Sequence, residues 1–106
     1  MSVTTEVSVG DFLKHKAANM CRWLKEEGCP VDVNLDTRTA LELTGFAQEL
    51  QRKYYAAILA RDFEALLQEK ETAPAQLTML VGYVRGKPPL HDKFWRYLKL
   101  FSDTVS

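Results

Sequence analysis

The sequence predicts an all-α fold: a compact, single-domain bundle of five or six helices around a central helix at about residues 37–60. Three observations carry this. Apolar residues recur three and four apart along most of the chain, the period of a helix face. The length of 106 residues, 46% of them hydrophobic and 26% charged, fits one globular domain. The one stretch that alternates like a strand, Cys29 to Asp36, has no second strand to pair with.

Residues 1–7 are expected to form a loose tail, leaving 8–106 as the domain. Ser8 offers an N-cap, with Asp11 three residues on. The first helix then runs from about Val9 to Glu27, with Phe12, Leu13, Ala17, Met20, Trp23 and Leu24 on one face. Lys16 falls inside that stripe, where its stem can pack while its amine reaches water. Gly28 suits the position after the last turn and Pro30 prevents continuation. The segment from Cys29 to Asp36 is expected to lay Val31, Val33 and Leu35 on the bundle, and Asp36 to cap the next helix.

That next helix, Thr37 to Ala60, is the longest. Its main stripe includes Leu43, Phe46, Ala47, Leu50, Tyr54 and Ile58, and Phe46 and Leu50 are expected in the core. Leu41, Tyr55 and Leu59 stand off that stripe. A helix with two apolar faces either runs through the middle of a bundle or offers its second face to a partner. Gly45 could kink it or divide it into two. A short helix from Asp62 to Lys70 follows, unless the central helix simply bends at Arg61-Asp62. Pro74 opens a fourth helix, with Leu77, Leu80, Val81 and Val84 as its stripe and Gly86 as its end. Lys87-Pro88-Pro89 reads as a rigid link to a fifth helix, Leu90 to Asp103. Its stripe is Leu90, Phe94, Tyr97, Leu98 and Phe101, with Trp95 and Leu100 outside. Short connections favour antiparallel neighbours.

Lysine and arginine total 14, as do aspartate and glutamate. A neutral balance argues against a dedicated nucleic-acid or membrane-surface protein. No 18-residue apolar run is present and the first ten residues do not read as a signal peptide, so an intracellular location, cytoplasmic or nuclear, is expected. Two cysteines, Cys21 and Cys29, are too few for a disulfide scaffold and are read as reduced thiols, although a reversal at Gly28 leaves a bridge geometrically open.

Nothing in the chain reads as catalytic machinery. His15 and Cys21 lie roughly 120° apart on a helix, and His91 and Asp92 point to different sides, so neither is a nucleophile–base or acid–base pair by local geometry. No CxxC, HExxH, acidic calcium loop or glycine-rich phosphate loop occurs, so no metal and no cofactor is expected. Two other patterns point to partners. Tyr55, Leu59, Met79, Tyr83 and Trp95 fall outside the core stripes, with Arg96 beside Trp95 as a charged rim, the composition of a protein-binding patch. From Arg85 to Lys99 the chain carries Arg85, Lys87, Lys93, Arg96 and Lys99 against one aspartate, a basic run with an aromatic, as nucleic-acid binders have.

TAPAQLTMLVGYVRG (72–86) resembles the helix of some phage small-terminase subunits, and KPPLHDKFWRYLKLF (87–101) resembles the late helices of harmonin-homology interaction domains. Each likeness covers one helical segment, and neither implies a role for a particular residue. The sequence thus points to a non-enzymatic protein–protein interaction or regulatory module, able to self-associate. The alternative is a helical nucleic-acid-binding domain using residues 85–99.

Overall fold

The computed structural model describes residues 9–30, 34–68 and 75–105, with the backbone alone at 75–77. Among the described residues five α-helices form the bundle: α1 (Val9–Glu26), α2 (Ala40–Ala60), α3 (Phe63–Gln68), α4 (Ala75–Arg85) and α5 (Pro88–Thr104). A single 3-10 turn, Leu35–Thr37, precedes α2. The expected tail at 1–7, Ser8 as a cap, Val31 and Val33 on the bundle, the last residues of the third helix and Pro74 lie outside the described residues.

The most extensive helix contact is α2 on α5. The two run antiparallel. Phe46, early in α2, meets Phe101, late in α5, with ring centroids 6.3 Å apart. Arg61, just past the end of α2, reaches Asp92 near the start of α5. Leu43, Ala47, Leu50, Tyr54 and Ile58 supply the buried face of α2, spaced four, three, four and four. Leu90, Phe94, Trp95, Leu98, Phe101 and Ser102 supply that of α5. Leu50 is a core residue as expected, but Phe46 is only half-buried, at the margin of the same cluster.

The α1–α2 pair departs from the antiparallel expectation. Gly10 at the start of α1 touches Ala40 at the start of α2, so both helices begin at the same end. The 3-10 turn runs back along α1: Leu35 and Asp36 offer their backbone to Cys21, and Lys14 Nζ donates to the Arg38 carbonyl at 2.6 Å. The polypeptide between α1 and α2 is long enough to cross the bundle, which a tight turn could not do. Trp23, late in α1, packs on Tyr97 of α5, so α5 opposes both.

Local chemistry fixes the helix ends. α2 is capped by Thr39, not by Asp36, which sits in the 3-10 turn. Glu42 N–H donates to Thr39 Oγ1 at 3.1 Å while Thr39 N–H donates to Glu42 Oε1 at 2.9 Å, a reciprocal capping box. Gly45 does not divide α2, which is continuous. Arg61 ends it in the left-handed conformation, φ 54°, and Asp62 N–H bonds back to the Ala57 carbonyl. Asp62 then caps α3 through Ala65 N–H. Pro88 and Pro89 are not a link but the first positions of α5, where no N–H is needed.

Trp95 is also displaced from its expected place at the surface. It is 2% exposed, with its ring centroid 4.5 Å from that of Phe63. The buried residues of α5 span an arc of about 140° at 100° per residue, wider than a simple stripe of about 100°. α1 and α2 cover one side and α3 and α4 the other.

Two consequences are measurable. Trp95→Ala should cost about 3–5 kcal/mol, as for other buried large aromatics, and a denaturation midpoint close to wild type would contradict its burial. The glycines should respond with opposite signs. A Cβ at Gly10 would lie 2.5 Å from Ala40 Cβ and 2.8 Å from its carbonyl oxygen, so Gly10→Ala should destabilise. Gly45, exposed in mid-helix with nothing near its Cβ position, should gain about 0.5–1 kcal/mol as Gly45→Ala. Equal shifts of the same sign in urea unfolding would refute this reading of the α1–α2 contact.

Candidate interaction surface

Of the residues expected to form a partner patch, the structure buries Trp95 and leaves the others exposed or half-buried. Leu59 on α2 and Met79 on α4 are exposed, 55% and 56%. Tyr55 and Tyr83 are half-buried. Trp95 lies inside an aromatic cluster with Phe63 and Phe94 and is removed from the surface. Arg96 is exposed but tied to Asp92 at 2.9 Å, which also receives Arg61 at 3.1 Å. Its neighbour Trp95 points inward because adjacent residues on a helix differ by about 100°.

The basic run is matched by neighbours. Arg85 pairs with Glu64 of α3 at 2.5 Å, and Lys99 with Asp103 at 2.7 Å. Lys87 lies over the Tyr83 ring at 5.8 Å and Lys93 over the Trp23 ring at 5.1 Å. The five cations on 85–99 therefore form no uninterrupted positive strip. Beside them, Lys93, Arg96, Tyr97 and Leu100 line a shallow open groove with Asp92.

Tyr55 holds the other end of this side of the molecule. Its hydroxyl donates to Asp103 Oδ1 at 2.7 Å, joining α2 to the last turn of α5. Hydrogen bonds from Lys99 and then Tyr55 hold the Asp103 carboxyl below its ordinary range. The same bonds push Tyr55 and Lys99 upward. Buried Cys21 is raised chiefly by loss of solvent, and no disulfide joins it to Cys29. His91 Nε2 lies 3.1 Å from the Arg85 carbonyl, which can only accept, so Nε2 carries the proton and closes the end of α4. Among the described residues no three His, Cys, Asp or Glu side chains cluster as metal ligands would.

What remains open is the second face of α2. Leu41 is 83% exposed and Leu59 55%. They are eighteen residues apart, five helical turns or about 27 Å, and so share one side. Gly45, Gln48, Arg52 and Ala56 lie between them on that side, all exposed. Among the described residues the bundle covers one face of α2 and leaves this one exposed. Leu41 is the residue that reasoning on Tyr and Trp anchors passed over. Its signal was the five-turn spacing from Leu59. No helix of the described residues is long and apolar enough to cross a membrane.

Comparison with protein-family models, with curated proteins and with solved structures finds no match to this chain.

The Tyr55–Asp103–Lys99 cluster predicts an acid limb of stability. Because the folded state lowers the pKa of Asp103, its stabilisation is complete above the ordinary value of 3.8 and disappears as pH falls through the lower folded value. With the side chain 39% exposed, solvent screening keeps the effect to at most about 1 kcal/mol. The stability difference between wild type and Asp103→Asn should therefore shrink from pH 6 to about pH 3. A difference independent of pH over that range would remove the ionic role.

Proposed function

We propose that this protein is a non-enzymatic binding module whose partner is a protein, held on the outer face of α2. The observation that carries the reading is the exposure of Leu41 and Leu59 on one side of the longest helix, with small residues between them. An isolated exposed leucine is ordinary, but two aligned on a bare helix face form a docking strip. Gly45 and Ala56 keep the strip low, so that another backbone can come close, and Gln48 and Arg52 supply polar contacts at its edge. Leu59 belongs to the surface first read from the sequence. Trp95 is replaced in that role by Leu41, and Arg96 by Arg52.

Nucleic-acid binding through 85–99 is the weaker reading, because each cation there already faces a carboxylate or a ring. The opposed charges would have to be displaced before phosphates could bind.

The test is a photo-crosslinking residue at Gln48, in the full chain expressed in cells. A protein adduct of defined mass is expected, lost when Leu41→Glu and Leu59→Glu are introduced together. Those changes should barely alter the melting temperature, since both side chains are exposed. No adduct, together with salt-sensitive binding to single- or double-stranded DNA or RNA that is lost in Lys93→Ala, Arg96→Ala, would overturn the protein reading in favour of the nucleic-acid one.

A further inference from the structure

We propose that the outer face of α2 docks against the same face of a second copy of this chain, antiparallel, about a two-fold axis between Leu50 and Gln51. The inference rests on the protein-binding reading above and names its partner. It comes from the order of residues along the bare face.

Arg52 lies on this strip just past the axis, and Glu49 borders it on one flank just before the axis. A helix laid antiparallel on an identical one brings Glu49 beside the second copy's Arg52. A parallel pair would place Arg52 on Arg52, which like charges disfavour. Shape follows the same register. About that axis Leu41 falls within one residue of the second copy's Leu59, and Gly45 across from its Ala56. The added Cβ position at Gly45 meets nothing within 4 Å, so the space beside it is free to receive another backbone. The intrachain Glu49–Lys53 pair is long, 3.8 Å, and exposed, and is easily exchanged for one between copies.

Isologous contact of this kind closes on itself and yields a dimer, not a filament. One helix-long strip is smaller than the ~800 Å² per partner of a standard interface, so the dimer should be weak, forming in the micromolar range or above. Weak self-association lets the same face exchange with a different partner.

Sedimentation equilibrium of the full chain over a wide concentration range tests this. Wild type should pass from monomer to dimer. Leu59→Glu should remain monomeric at concentrations where wild type is dimeric, and Leu41→Glu repeats the test at the other end should the first variant disturb α3. Glu49→Lys and Arg52→Glu should each weaken the dimer several-fold. Mixing those two variants should restore it, because the heterodimer again opposes unlike charges at both contacts. A dimer indifferent to all four substitutions uses another face and overturns the proposal. So does a chain that stays monomeric to its solubility limit. If it stays monomeric while the Gln48 crosslink to another protein persists, only the self-association is lost. If both are absent, the protein-binding reading falls with it.

Discussion

Everything in this molecule depends on the antiparallel seam between α2 and α5. Leu50, Tyr54 and Ile58 on one side and Phe94, Leu98 and Phe101 on the other are all at most a few per cent exposed. Removing their apolar area from water is the main favourable term in folding. α1 lies across that seam from one side, and α3 with α4 closes the other through Phe63, Leu80, Val81 and Val84. Polar contacts brace the same seam at both ends, Arg61–Asp92 at one and Tyr55–Asp103 at the other. They lie at or near the surface and are individually weak, so they fix register more than they add stability.

Helix existence and type were legible in the sequence because periodicity is a local signal. Leu43, Leu50, Phe94 and Leu98 announce their burial by spacing alone. Trp95 did not, because its burial depends on Phe63, more than thirty residues earlier, arriving on a flank that the wheel of α5 assigns to solvent. The capping of α2 was misread for a different reason. Asp36 and Thr39 are both good caps, and only the reciprocal bond with Glu42 separates them. The proline pair suits a spacer as well as the helix start that it forms, an ambiguity intrinsic to the residue. The common starting end of α1 and α2 is a matter of long-range contact that no local pattern encodes.

The charged residues teach a related lesson. A basic run counted along the sequence gives a net positive segment. In three dimensions the same residues sit beside Glu64, Asp92 and Asp103, or over aromatic rings. A linear count over 85–99 omits Glu64, which α3 brings alongside, and Asp103, one turn beyond Lys99 on α5. The second apolar face of α2 is legible as Leu41 and Leu59 off the main stripe, but its exposure is not, because spacing does not say whether another helix covers it.

The two thiols give the molecule an internal clock. Cys29 is half-buried after the end of α1, whereas Cys21 is 1% exposed against the 3-10 turn, its thiolate disfavoured by that burial. An alkylating reagent reaches Cys29 without large rearrangement but must wait for the turn to lift from α1 before it meets Cys21. The ratio of the two modification rates therefore reads the free energy of that single local opening, separately from unfolding of the bundle as a whole.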